Sequence, residues 1–375
     1  MGTFKIGVEQ FIKDIESLRD GRGIIKAGLP RFNQLFGRDS LIVSWQLLDF
    51  DPKIARQTLE VLSKLQGKKT CILTEEEPGI ILHQEKYGPI MPYYGSVDAT
   101  PLYLIVFGYY LEKTRDIDLA KEHWENIINA ANWMINYGDK DGDNFLEYKK
   151  KIFFGFYDKG WKDSIKNIWG IKQPTAIVEA QGYQYLALEK TAETAILFKK
   201  NDLAAKLRIR AGEVKEYFND KFWMPDEKYF ALALDGKKER VEKITSNQGH
   251  LLFTGIVDKD KEEFIVRRLF EEDLWTQFGI RNHSEKEPDF DPRSYHLGSV
   301  WPHDNWIIAQ GLKELGYKSE YLKIKNALFR ACEKMGFMPE YFGVIGDEIT
   351  LDMKKRVCSP QAWSSGAMLN FLITE

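Results

Sequence analysis

Residues Val97 to Leu111 read VDATPLYLIVFGYYL, and Ile117 to Tyr137 read IDLAKEHWENIINAANWMINY. The first segment is apolar nearly all the way round a helix. The second carries charges between apolar residues and has a single apolar stripe. A helix apolar on every side must be enclosed, whereas a striped helix lies outside with its stripe turned inward. This pair of readings recurs along the chain and decides the fold.

Toward the N-terminus, Phe4 to Asp20 is striped, Asp39 to Phe50 is apolar on almost every side, and Pro52 to Gln66 is striped again, opened by proline in its first turn. In the other direction, Pro174 to Leu197 carries small and apolar residues, and Leu203 to Phe222 is striped and basic. Asn247 to Val257, Ser299 to Leu315 and Pro360 to Leu372 are apolar, alternating with striped segments Lys259 to Phe270 and Ser319 to Lys334. Six enclosed and six outer helices in alternation predict an all-α, double-layered toroid, the (α/α)6 barrel, as one domain over residues 1–375. Period-two β-branched runs are scarce, which argues against a strand-based fold. Trp223 to Ile244 reads as irregular or hairpin-like around Asp235-Gly236, so small hairpins are expected as insertions in loops. A helical solenoid is the alternative, but no fixed-period repeat supports it.

The net charge of −3 over 375 residues, without long single-sign blocks, argues against nucleic acid or an anionic membrane as the main partner. Cys71, Cys332 and Cys358 form no CxxC pair, so neither a zinc site nor a disulfide framework is indicated, and no metal or cofactor is expected. The N-terminus is charged and amphipathic rather than signal-like, and the run Leu102 to Leu111 is too short to span a bilayer. A soluble cytoplasmic protein is the default. Nothing in the pattern specifies an oligomeric state.

Loops leading into the apolar helices are long and end in polar-aromatic clusters: Phe36 to Ser40, Tyr93 to Asp98, Gln173 to Thr175, Ser246 to His250, Tyr295 to Asp304, and Cys358 to Trp363. Six such clusters at six helix N-termini would converge on one mouth, where free N–H groups and positive dipole ends seat carboxylates and hydroxyls. Aromatics make up 13% of the chain, and rings among carboxylates and amides suit carbohydrate. The loop Gly138 to Gln173 holds Gly160-Trp161-Lys162-Asp163-Ser164. There an indole covers a pyranose face, and the carboxyl beside it gives a proton to a glycosidic oxygen, which makes Asp163 a general acid. The competing reading is a surface turn with a structural aspartate.

The stretches FGRDS, PYYGSVDATP, DGDNFLEY, GWKDS, VEAQGYQY, SNQGHLL, SYHLGSVWPHDN, PEYF and CSPQAW, from Phe36 to Trp363, together resemble the glucosidase domain of glycogen debranching enzymes (amylo-α-1,6-glucosidases). That domain is similar in turn to glucoamylase, trehalase and processing α-glucosidase I, all (α/α)6 barrels. The resemblance implies an inverting hydrolase that releases glucose from an α-glucoside, with Asp163 as acid and Glu340 of PEYF as base. Their carboxyls would stand roughly 6.5–9.5 Å apart, leaving room for a water. Debranching proteins usually carry an additional N-terminal β-rich domain, whereas this chain starts almost at the barrel. A small α-glycoside of the trehalose, glucosylglycerate or mannosylglycerate type is therefore the alternative substrate.

Arg38 and Asp39 are either a buried structural pair or, as the resemblance implies, the groups that recognise sugar hydroxyls. Asp98, Glu179, Gln181 and the pair His303-Asp304 are ligand contacts or helix caps. Trp161, Trp301 and Trp363 are stacking platforms or barrel packing. Tyr94, Lys162 and His296 complete the candidate substrate contacts. A histidine-dependent sugar epimerase on the same barrel would use His250, His296 and His303, but it leaves GWKDS and PEYF unexplained. Asp139 to Lys150 begins like a calcium loop but has Asn144 and Lys150 where glycine and glutamate belong, so it reads as a turn. Glu75-Glu76-Glu77 reads as a solvated loop that could lid the mouth.

Overall fold

The computed structural model describes residues 7–153, 155–165, 167, 169–351 and 357–374. Its helices, in order, are α1 (Val8–Leu18), α2 (Gly37–Gln46), α3 (Pro52–Lys64), α4 (Ala99–Thr114), α5 (Ile117–Glu122), α6 (Trp124–Trp133), α7 (Val178–Leu197) and α8 (Asn201–Lys221), followed by α9 (Lys259–Leu269), α10 (Pro302–Glu314), α11 (Lys318–Met335) and α12 (Ala362–Ile373). A 3₁₀ helix, Asn247–Phe253, lies between α8 and α9. Phe4, Lys5 and Ile6 of the expected first helix, and residues 352–356 of the last long loop, lie outside the described residues.

Burial separates the two kinds of helix. In α4 every residue from Ala99 to Gly108 is buried. In α3 only one stripe is buried, with Ile54, Ala55, Leu59 and Leu62 facing in. Asp51 caps α3 by accepting the Lys53 N–H at 3.1 Å, and Pro52 fills the first position, where no N–H is needed. The apolar helices touch in cyclic order: α2 on α4, α4 on α7, α7 on the 3₁₀ helix, that helix on α10, α10 on α12, and α12 back on α2. The striped helices lie against them, α1 on α12, α3 on α2 and α4, α6 on α4 and α7, α8 on α7, α9 on the 3₁₀ helix, and α11 on α10 and α12. Among the described residues no helix is long and apolar enough to cross a membrane.

Three expected helices differ in detail. The span Ile117 to Tyr137 breaks at His123 and ends in a π-helical turn, Met134–Gly138. The helix expected from Pro174 starts at Val178, because Ala176–Ile177 pairs as a strand with Ala233–Leu234. The span Asn247 to Val257 is the seven-residue 3₁₀ helix, long for its class. It lies so close to α10 that a Cβ on Gly249 would meet Ile308 Cγ1 at 2.7 Å, and Gly255 turns away at a φ of +76°. Among the described residues the strands are short and antiparallel and lie in the loops: three two-stranded hairpins and one three-stranded sheet, which includes the turn at Asp235-Gly236.

Candidate active site

Arg38, in the first turn of α2, organises one wall. Its Nε donates to Asp98 Oδ2 at 2.6 Å, its Nη1 to Asp163 Oδ2 at 3.2 Å, and its Nη2 to the Gly160 carbonyl at 2.8 Å. One guanidinium thus fixes both the backbone and the carboxyl of the GWKDS loop. Asp98 stands at the N-cap position of α4 but caps nothing. Its carboxylate takes Arg38 and the Ser96 hydroxyl, the latter at 2.5 Å. Gly37 makes the approach possible, since a Cβ there would lie 2.0 Å from the Leu82 carbonyl oxygen.

Burial pushes the Asp163 carboxyl above the ordinary aspartate range, against the pull of Arg38. Its side chain is still 23% exposed, and that exposed part faces a cavity. A carboxyl whose pKa is raised and that reaches open space suits the chemistry of a general acid.

Glu340 lines the same cavity as Asp163. Its Oε1 accepts from the Tyr295 hydroxyl and its Oε2 from the Cys358 N–H at 3.3 Å, while its backbone N–H donates to the Cys358 carbonyl at 3.0 Å. Burial raises its pKa, and Tyr295 and the Cys358 N–H draw it back. Asp39, next to Arg38, is pushed up to about 7 by burial, with Arg38 opposing and both Asp163 and Glu340 adding repulsion.

The cavity measures about 190 Å³, and both carboxyls line it. Arg38, Asp39, Trp161, His296, Trp301 and Trp363 also line it. His296 Nδ1 pairs with the Ser164 hydroxyl at 2.7 Å, which ties the GWKDS loop to the Tyr295-His296 stretch. Trp301 is only 1% exposed, with its indole N–H spent on the Tyr295 carbonyl at 2.9 Å, so it is packing rather than a platform.

Other predicted contacts lie elsewhere. Tyr94 points away and donates to the Leu65 carbonyl at 2.8 Å. Gln181 is consumed by the Leu146 N–H, the Leu146 carbonyl and the Ile177 carbonyl, each at 2.9 Å. Lys162 is buried behind Trp161, donates to the Asn282 carbonyl and is pushed down to about 8 by burial. Glu179 lies under Gly160 and is pushed up to about 8, also by burial. His303 stacks on Trp363 at 3.8 Å, and burial keeps it neutral. Asp304 accepts from His250 at 2.7 Å. Sequence reasoning misses Arg31, Phe32, Gln84, Phe156 and Tyr295 as cavity residues. Tyr295 is legible as part of its cluster; Arg31 and Phe156 sit in loops with no distinguishing pattern.

Glu75-Glu76-Glu77 is not a solvated loop. All three are buried, because Lys159 pairs with Glu75, and Lys151 and Lys140 pair with Glu77 at 2.5 and 3.4 Å. The acidic turn Asp139 to Glu147 holds the Lys238 ammonium at 2.6 to 2.8 Å from Asp141, Asp143 and Glu147. In the group of His283, Glu287 and Asp289, Lys243 likewise approaches Glu287 at 2.7 Å and Asp289 at 3.7 Å. In both groups a lysine stands where a cation would, and neither group lines the cavity.

The model of the mannosylglycerate hydrolase MGH1-like glycoside hydrolase domain matches residues 34–344. A mannosylglycerate hydrolase of Rubrobacter radiotolerans is 27% identical over 138 residues, 36% of this chain and 31% of that protein. Mannosylglycerate hydrolase MGH1 of Selaginella moellendorffii is 26% identical over 98 residues, 25% of this chain and 20% of that protein. The chain thus spans less than a third of the length of these curated relatives. The crystal structure of GH63 mannosylglycerate hydrolase from Thermus thermophilus in complex with Tris superposes with a TM-score of 0.74 at 15% identity, covering 97% of this chain and 99% of that one, a likeness of fold. The family matched is that of the MGH1-like glycoside hydrolase domain, and these matches do not support the glycogen debranching enzymes that the motifs resemble.

Proposed function

Because the chain belongs to the mannosylglycerate hydrolase MGH1-like glycoside hydrolase family, we propose that it is an inverting hydrolase of a small α-glycoside of the mannosylglycerate type, working in one (α/α)6 barrel. The cyclic contacts of the six apolar helices support the barrel. The observation that carries the function is that Asp163 and Glu340, from loops far apart in sequence, line one small cavity. Asp163 gives its proton to the glycosidic oxygen as the bond to the anomeric carbon breaks. Glu340 takes a proton from a water that attacks that carbon from the other face, so the sugar leaves with inverted configuration. A spacing of roughly 6.5–9.5 Å between the carboxyls fits that water. Arg38 and Asp39 meet the sugar hydroxyls, and the exposed parts of Trp161 and Trp363 stack on its ring.

Two features favour a small, acidic aglycone over a branched glucan. A cavity of about 190 Å³ lies below the ~300–1,000 Å³ common for ligand sites, which leaves room for about one sugar ring. Arg31 stands at its rim, shared with an outer groove that also includes Gln34, Glu85 and Lys86, and places a positive charge beyond the sugar. The epimerase reading loses support, since His250 is engaged by Tyr183 and Asp304 and only His296 of its three histidines lines the cavity.

The test is a panel of mannosylglycerate, glucosylglycerate, trehalose, isomaltose, panose and limit dextrin, followed by proton NMR of the first sugar released. The proposal expects a glycerate conjugate to be turned over fastest, with the β-anomer appearing first. Release of the α-anomer would overturn inversion. Preference for isomaltose or limit dextrin would restore the debranching reading.

A further inference from the structure

His83 lies in the loop between α3 and α4 and is 1% exposed. Its ring meets Phe36, Tyr93 and Phe156 edge to face, with centroids 5.9, 5.8 and 5.2 Å away. Its backbone is pinned on both sides: the carbonyl accepts from the Gly37 N–H at 2.8 Å, and the N–H donates to the Tyr93 carbonyl at 2.9 Å. A ring held this way has two polar side chains within reach, the Gln84 carboxamide and Asp163. Its Nε2 lies 4.0 Å from Asp163 Oδ2, the same oxygen that Arg38 Nη1 reaches at 3.2 Å. Among the described residues neither ring nitrogen completes a hydrogen bond, although the Gln84 carboxamide lies close enough to favour the charged ring slightly. Burying an imidazole in an aromatic cage without a completed hydrogen bond has a cost, which a role at Asp163 explains.

We propose that His83 is a positioning residue for the general acid, its Nε2–H closing on Asp163 Oδ2 as that carboxyl gives up its proton. This rests on the reading of Asp163 as the acid. With Oδ2 taken by Arg38 and His83, the proton is left on Oδ1 to face the glycosidic oxygen. When the proton leaves, the new carboxylate is a stronger acceptor, and the gap to Nε2 shortens. The imidazole must stay neutral to do this. A second cation beside Arg38 would hold Asp163 ionised and leave no acid. Burial pushes the His83 pKa well down, and the charges on Arg38 and Lys159 push it further. The other groups facing Asp163 are Asp39 from α2, Asp98 before α4, Asp158 in its own loop, Glu340, and the phenols of Tyr87 and Tyr295.

His83→Phe fills the cage and removes the nitrogens, whereas His83→Gln returns an N–H at comparable reach. With mannosylglycerate, or the panel member turned over fastest, H83F should lower kcat about tenfold with KM little changed, the loss expected for one hydrogen bond to a charged group. The alkaline limb of its kcat profile should move to higher pH, because the Asp163 carboxylate has lost a donor. H83Q should recover most of both. His83→Asn, whose amide falls short of Asp163, gives the H83F readings should H83F not fold. Wild-type kcat and an unmoved limb in H83F or H83N, or H83Q no closer to wild type than H83F, would overturn the role of His83. Asp163→Asn run alongside separates the two readings. Activity retained there overturns the assignment of Asp163 itself, and a dead D163N with an unshifted H83F overturns only this inference.

Discussion

Two buried clusters of charge sit side by side in this fold, and only one has room for a substrate. The chamber between Glu75, Glu77 and Glu147 on one side and Lys140, Lys149, Lys151 and Lys159 on the other has a volume of about 20 Å³. Burial would raise Glu77, but Lys140 and Lys151, with the Trp133 N–H, outweigh it and hold its pKa below the usual range. The cavity lined by Asp163 and Glu340 has the opposite balance. Asp39, Asp163 and Glu340 face it with Arg31 and Arg38, and Arg38 is already committed to Asp98. All three of those carboxyls are raised. Burial alone therefore does not make a site. Carboxyls become reactive where cations are too few to neutralise them and a void is left for a ligand.

The sharpest way to break this comparison is to neutralise carboxyls in the cavity. Asp163→Asn and Glu340→Gln should each lower kcat by about 10³-fold, the scale of general acid or base catalysis. Melting temperatures should be unchanged or higher, since each change removes a buried carboxyl whose charged form is disfavoured. Steady-state kinetics beside calorimetry checks both, and near-normal turnover in either variant removes that residue from its role.

Next in size are two substitutions that should cost similar stability and differ in activity. Arg38→Met strands Asp98, and Glu75→Gln strands Lys159; leaving one buried charge unpaired costs about 3–5 kcal/mol. Activity per folded molecule should collapse in the first and survive in the second. Equal loss of activity would mean that the chamber serves catalysis and that the division drawn between the two clusters is wrong. Tyr295→Phe is milder. Without the phenol donor the Glu340 carboxyl rises further, so the acidic limb of kcat/KM should move to higher pH and kcat should fall about tenfold.

The same contrast explains what the sequence discloses. Alternating enclosed and striped helices are legible because each helix writes its surroundings into its own residues, as α4 and α3 do. Asp163 is legible because Gly160, Trp161 and the carboxyl are neighbours in the chain. Glu75 and Glu77 are not, since the lysines that bury them come from 63 to 84 residues away. Lys238 reaches Glu147 across 91 residues, so the acidic turn reads as a failed calcium loop with no sign of the ammonium that fills it. Gln181 and Glu179 are close in sequence and alike in polarity. Only three dimensions show one fully hydrogen-bonded and the other pushed up by burial under Gly160. The 3₁₀ helix reads as α because apolar content is the same in both, while its close approach to α10 at Gly249 shows only in three dimensions.

The last predicted effect is the most direct measure of the difference between the two clusters. Asp39 has a folded pKa of about 7 against an ordinary value of 3.8. Between pH 4 and 7 the unfolded chain gives up this proton while the folded protein keeps it, so stability falls as pH rises, by at most ~1.4 kcal/mol per pH unit. Asp39→Asn removes that term; its stability should match wild type in shape near pH 4 and gain on it toward pH 7. Glu77 behaves the other way. Its folded pKa lies below the unfolded value, so its contribution is present above the unfolded pKa and is lost as pH falls through the folded one. Glu77→Gln should therefore fall behind wild type at neutral pH and close the gap in acid. Denaturant melts of both variants from pH 3.5 to 7.5 give two difference curves of opposite slope. Slopes of the same sign would mean that the cavity neutralises its carboxyls as fully as the chamber does, and that an excess of carboxyls over cations is not what distinguishes the site.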